Sequence, residues 1–249
     1  MARELADVIH YFLEDPRGGT AEAETPLVAC PVGEKEALRL AFVWNLAVEL
    51  ARSGVRPTLV VPEGTSVCDL LPARAVGGVL APELVLSSAR SLAELEREAR
   101  VPRAPREDAL RLAIVPAEWL RGGGGAGLLA WTLLFATPDP ADLEAALELA
   151  RGVAAAEPRA EVGVALHGVE SVAEARAAFE KLAGRFEAEM GRPLRSYGLL
   201  LDDLLVYRAV VERRPVVLSH PQSLAARSLT DVARLLLGDA RGSAPGTVS

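Results

Sequence analysis

Lysine is nearly missing from this chain. Of 27 basic residues only Lys35 and Lys181 are lysine, and the other 25 are arginine. Any mechanism that needs an ammonium group therefore has two candidates. Asn45 and Gln222 are the sole carboxamides. A GC-rich genome produces such a bias without any functional cause. Cysteine is almost as scarce. Cys30 and Cys68 fit two small buried hydrophobes in a reducing compartment better than a disulfide scaffold. With His10, His167 and His220 they show no metal-ligand spacing, so no metal is expected. There is no basic cluster, and the net charge is −7. That excludes electrostatic nucleic-acid binding and a polybasic route to anionic lipids. Long apolar runs are missing too. The longest uncharged stretch, Gly122 to Pro138, is diluted by five glycines and is too short for a membrane span. The first residues carry Glu4 and Asp7 and no basic n-region, unlike a secretory signal. A cytoplasmic protein is expected.

What the chain does have is apolar material, half of its 249 residues, with 24% charged. That is enough for a sizeable core. Residues 2–14 place Leu5, Val8, Ile9, Phe12 and Leu13 on one helical face, with Arg3, Glu4, Asp7 and Glu14 mostly opposite. A Pro/Gly-rich acidic linker follows, so residues 1–25 read as an amphipathic helix and linker. This helix could fold back on its own domain or dock on a partner.

From Pro26 onward, short apolar strands alternate with helices. PLVACPV reads as a buried strand, and residues 34–53 as a helix closed by Gly54. PTLVVP, LRLAIVP, LLAWTLLFAT, EVGVALH and Tyr197 to Leu201 are further strands, and VGGVLAPELVLSS is ambiguous. Ser91 with Glu94, and Ser171 with Glu174, open helices as capping boxes. Leu204 to Glu212 looks helical, PVVLSHP reads as an exposed apolar turn, and residues 222–237 form a last helix. This pattern predicts one three-layer α/β/α domain over 26–237 with a mainly parallel sheet, and a disordered tail at 238–249.

Ligands of such folds sit at the carboxyl ends of the strands. The first strand–loop–helix is the natural phosphate site, because a helix N-terminus offers free N–H groups and a positive dipole end. Here the loop is CPVGEKEALRL. Its one glycine, Gly33, is followed by Glu34 and Glu36, and an acidic pair repels phosphate.

Three segments carry a family resemblance. The first strand is followed by Asn45, Leu46 and Ala47, then Leu50, Ala51, Arg52, Gly54, Arg56, Pro57, Leu59, Val60 and Val61. TPDPADLEAALELAR covers 137–151. The stretch from VALHGVESVAEARAAFEKLAG ends in RRPVVLSHPQSLAAR. Together they resemble the MinD/ParA family of P-loop ATPases, its flagellar-number-regulator branch included, over roughly 26–237. The resemblance implies a P-loop NTPase fold and, for active members, ATP hydrolysis. In that register the loop lysine falls on Arg39, the Mg²⁺-holding hydroxyl on Leu40 and the lysine that crosses the dimer on Glu34. The acidic residue after the second strand falls near Pro62. The metal-positioning aspartate falls on Val115 or Pro116, and the adenine-reading Asn on His167. Every position departs, which implies a degenerate Walker A and no bound cofactor. Gly33, Lys35 and Arg39 are the vestigial phosphate-loop positions.

Among other candidates, His167 reads as a satisfied loop histidine and Asp202–Asp203 as a solvated loop. Gly122–Gly125 reads as a flexible loop in the family's switch region, and Trp119 and Trp131 as core. No catalytic constellation follows from spacing. The expectation is a catalytically inactive, regulatory or scaffold protein in spatial organisation of a bacterial cell pole, motility, flagellar or division machinery. It would partner an active paralogue or a polar protein, as a homo- or heterodimer, through Leu5, Val8, Ile9 and Phe12. The alternatives are an ATP-binding member with an unusual P-loop, or a membrane-associated member.

Overall fold

A computed structural model describes residues 25–33, 36–63, 82–101 and 109–242. In chain order the elements are β1 (Leu27–Val32), α1 (Ala37–Arg52), β2 (Arg56–Pro62), β3 (Glu83–Ser87), α2 (Leu92–Arg100) and β4 (Ala109–Pro116). A 3₁₀ turn (Ala117–Gly122) leads to α3 (Ala126–Leu129), β5 (Trp131–Ala136), α4 (Pro140–Ala156), β6 (Glu161–Val169) and α5 (Val172–Met190). The chain continues with β7 (Arg195–Leu201), α6 (Leu204–Val211), α7 (Val216–Ser219) and α8 (Leu224–Gly242).

The seven strands make one sheet in the order β3-β2-β4-β1-β5-β6-β7, with every pair parallel. This is the α/β/α architecture that the alternating apolar segments predict, and the described part of the ambiguous stretch holds a strand, β3. Strand residues alternate between two cores because side chains of a strand point to opposite faces. Val28, Cys30, Val32, Leu110, Leu112 and Ile114 face α1, α6, α7 and α8. Ala29, Ala113, Val115, Leu134 and Val164 face α2, α3, α4 and α5. Burial lifts the Cys30 thiol to about 12, so it is a packing group rather than a nucleophile. Cys68 lies outside the described residues.

The caps follow the sequence. Glu94 N–H donates to Ser91 Oγ at 3.4 Å, and Glu174 N–H to Ser171 Oγ at 3.2 Å. Gly54 takes φ +87°, and Val55 N–H reaches back to the Leu50 carbonyl. Gly125, at φ +69°, packs so closely that a Cβ there would lie 2.6 Å from Leu92 Cβ. The end of the glycine run is thus seated on α2. Trp119 and Trp131 pack, partly buried, at the margins of the two cores.

Two expectations need correction. PVVLSHP is not an exposed turn. Val216 and Val217 are fully buried on α7, and Val217 N–H donates to Asn45 Oδ1 at 3.3 Å. The last helix does not stop at 237 but runs to Gly242. Its end is held by a polar cluster at the amino ends of the strands. Trp131 Nε1–H donates to the Tyr197 hydroxyl (2.8 Å), which donates to Asp239 Oδ2 (2.7 Å). Arg195 bridges Asp239 and Glu161 at 2.9 and 3.0 Å. The Tyr197 ring fits because residue 163 is glycine; a Cβ there would lie 2.2 Å from the ring.

Among the described residues, no helix is long and apolar enough to cross a membrane.

Candidate functional site

The sheet order places β1 between β4 and β5. The helix after β1 packs on one face, and the helix after β5 on the other. A crevice therefore opens between the carboxyl ends of β1 and β5, the position where open α/β sheets hold ligands. The residues at this crevice are Gly33 and Glu36 before α1, Arg39 in its first turn, Thr137 after β5, Asp142 in the first turn of α4, and His167 near the end of β6.

The loop closes on itself. Glu36 N–H donates to the Gly33 carbonyl at 3.1 Å, and Gly33 N–H donates to Glu36 Oε2 at 2.8 Å. The Glu36 carboxylate thus does not cap α1. It turns back and sits on the loop amide as an anion would, a placement that the positive end of the helix favours. Arg39 is buried. Its Nη1 meets Glu36 Oε1 at 2.5 Å, and its Nη2 pairs with Asp142 Oδ1. Asp142 Oδ2 accepts from Thr137 N–H at 2.5 Å. One guanidinium therefore spans the crevice, tying the start of α1 to the start of α4. Burial pushes the Asp142 carboxyl up, but the Thr137 amide and the Arg39 hydrogen bond and charge outweigh it, leaving it below the usual aspartate range.

His167 is not a satisfied loop histidine. It lies within β6, 5% exposed, with its ring centroid 5.2 Å from that of Phe42 on α1. Neither ring nitrogen has a hydrogen-bond partner. Burial, then the charge of Arg39, push it down to about 4, against a smaller opposing pull from Asp142. At neutral pH it is an uncharged imidazole.

Among the described residues, the other positions that the resemblance marks carry no polar side chain. Leu40 is buried in the core beneath α1, Val115 is fully buried, and Pro62 and Pro116 close β2 and β4. The structure brings Arg39 and His167 together with Gly33. Lys35, Glu34 and the predicted partner-binding Leu5, Val8, Ile9 and Phe12 lie outside the described residues. Lys181 is exposed on α5, remote from the crevice. Among the described residues, no three His, Cys, Asp or Glu side chains converge as a metal site would need.

Asp142 and Thr137 are members of the site that sequence reasoning missed. The available signal was positional, since TPDPAD puts Asp142 one turn into the helix that follows a central strand. Asp203 is likewise not a solvated loop residue. It caps α6 by accepting from Leu205 N–H (2.9 Å), and it also accepts from Ala225 N–H at the start of α8 (3.2 Å). Asp202 accepts from the Tyr207 hydroxyl at 3.4 Å.

No protein-family model and no curated sequence matches the chain. Solved structures do. MinD cell division protein of Aquifex aeolicus aligns with TM-score 0.66 at 12% identity, over 90% of this chain and 99% of that one. In the MinC:MinD cell division protein complex of the same organism, the matched chain aligns with TM-score 0.64 at 14% identity, over 89% and 98%. A ParA family ATPase of Chlorobium tepidum aligns with TM-score 0.55 at 12% identity, over 86% and 100%. Coverage near the full length of each neighbour at these TM-scores gives this chain, with its seven-stranded all-parallel sheet and flanking helices, the MinD/ParA-type P-loop NTPase fold.

Proposed function

We propose that this chain is a catalytically inactive protein of MinD/ParA type that serves as a regulatory or scaffold partner in spatial organisation of the bacterial cell. The observation that carries the proposal is the internal occupancy of its phosphate loop. Glu36 holds the Gly33 amide, and Arg39, at the loop-lysine register, is spent on Glu36 and Asp142. Phosphoryl transfer depends on a cation clamp and a metal to stabilise the transferring charge. At the matching positions here, Leu40 and Val115 offer neither a hydroxyl nor a carboxylate to a metal. Arginine does not stand in for the lysine, because its planar fork has a different reach.

A MinC:MinD complex among the structural neighbours supports a protein partner as the output. Leu5, Val8, Ile9 and Phe12 are the residues we assign to that contact, in the cytoplasm. Calorimetry of the full chain with Mg-ATP tests the proposal. No heat of binding is expected at millimolar nucleotide. Millimolar or tighter binding would favour an ATPase with an unusual loop and overturn it. Deleting residues 1–20 should abolish partner capture and leave the domain folded.

A further inference from the structure

Nine large hydrophobic side chains are exposed among the described residues, and five of them fall within residues 204–224. Leu204, Tyr207 and Val211 are spaced i, i+3 and i+7 on α6, so they share one face. Leu204 and Val211 are 81% and 83% exposed, more than any other large hydrophobic described. Asp203 binds the first turns of α6 and α8 together, the turns that carry exposed Leu204 and Leu224. Leu218 is exposed on α7, the next helix, whose base is pinned to α1 by Val216 and Val217. An apolar stripe of this kind on a fixed surface accepts an amphipathic helix, read by anchors at helical spacing.

We infer that the occupant is this chain's own N-terminal segment, residues 2–14, docked through Leu5, Val8, Ile9 and Phe12. The inference uses the sequence reading of that segment as an amphipathic helix, and it specifies where the partner-binding face of the proposed function rests before a partner arrives. Three observations select this occupant. The segment has the matching pattern, with its apolar anchors at the same spacing as those on α6. Charge is complementary. The segment carries Glu4, Asp7 and Glu14 against Arg3, whereas the stripe is bordered by exposed Arg208, Arg213, Arg214 and Arg227, with Asp202 and Glu212. The tether also reaches. The described chain begins beside β1, three strands from β7. Crossing three strand spacings and the length of β1 needs roughly 25 Å. Residues 15–24 span up to roughly 33 Å when extended.

In this arrangement the apolar face of the segment is sequestered in the free protein. A partner gains it by competition rather than by finding it exposed.

Hydrogen–deuterium exchange on the full chain tests the docking, comparing wild type with a Leu204→Glu/Val211→Glu variant at two protein concentrations. Both substituted side chains are exposed, and protection of the α1 and β4 amides reports that the variant is folded. Amides of residues 2–14 should exchange at least tenfold faster in the variant. Wild-type protection should not change with concentration. An Ile9→Ser/Phe12→Ser variant should show the same loss. Equal exchange in wild type and variants overturns the inference. Protection that grows with concentration assigns the stripe to a second copy and overturns it as well. Neither result bears on nucleotide binding, so the calorimetry above fails or succeeds independently.

Discussion

Replacing Arg39 with alanine removes a side chain that links α1 to α4 across the crevice. Arg39 is 8% exposed at its side chain, Asp142 20% and Glu36 32%. Removing one partner of a buried ion pair costs about 3–5 kcal/mol, most of it from the charge left behind. Glu36 can turn to water and keeps the Gly33 amide, so its share is small. Asp142 keeps its hydrogen bonds with the Thr137 amide and side chain. The low end, about 3 kcal/mol, is therefore expected. For a chain of this length that lowers Tm by about 6–12 °C. The pH dependence gives a second readout. In the wild type the folded-state value of Asp142 lies below its ordinary 3.8. The pair thus contributes stability above that range, which is lost as pH falls through the lowered value. Without Arg39 the upward push of burial is opposed by Thr137 alone, so this acid-side loss should shrink. An Arg39→Met/Asp142→Leu variant should recover part of that loss, because it leaves no buried charge behind and gives up only the acceptor of the Thr137 amide. Thermal unfolding of the three proteins, followed by circular dichroism from pH 3 to 8, is the assay. A Tm change below about 2 °C for Arg39→Ala, or a double variant worse than the single one, would refute the reasoning.

His167→Leu should stabilise the protein by about 1 kcal/mol or more, since two buried ring nitrogens without partners are removed. The sign of its pH dependence is also fixed. The unfolded histidine takes up a proton near 6.5, but the folded one only near 4, so wild-type stability falls as pH drops between those values, by about 3 kcal/mol. Urea titrations at pH 4.5 and 7.5 should show that slope flattened in the variant. Tyr197→Phe leaves the Trp131 indole N–H without its acceptor and removes one of the two donors to Asp239, Arg195 remaining as the other. It should cost about 1–2 kcal/mol at an unchanged urea m-value, and a loss below about 0.3 kcal/mol would show the cluster to be slack.

Periodicity made the fold legible wherever a strand is buried on both faces, since such strands read as continuous apolar runs, as in LRLAIVP and WTLLFA. It failed at PVVLSHP, where two buried valines look the same as two exposed ones until α1 and α8 are known to cover them. It failed also at residues 238–242. Gly238 reads as a helix stop, but Asp239 is held by Tyr197 and Arg195 from a distant strand. The crevice was half legible. The register pointed to Arg39 and His167, and the acidity of the loop was evident. The direction of its effect was not. From the sequence Glu36 is a charge that repels phosphate, whereas the structure turns it inward onto Gly33 and Arg39. The partner of Arg39 across the crevice, Asp142, lies 103 residues away, a separation that no local pattern encodes.

The turn of Glu36 onto Gly33 also bears on competition. A carboxylate tethered three residues from the amide it binds does not diffuse away, and short tethers maintain effective concentrations of millimolar and above. A free anion at cellular levels competes against a ligand that is always present and always adjacent. Under the proposed function, a loop in this state does not register the ratio of one nucleotide to another. Under the role proposed for it, the conformation of this protein would follow how much partner is available rather than the energy state of the cell.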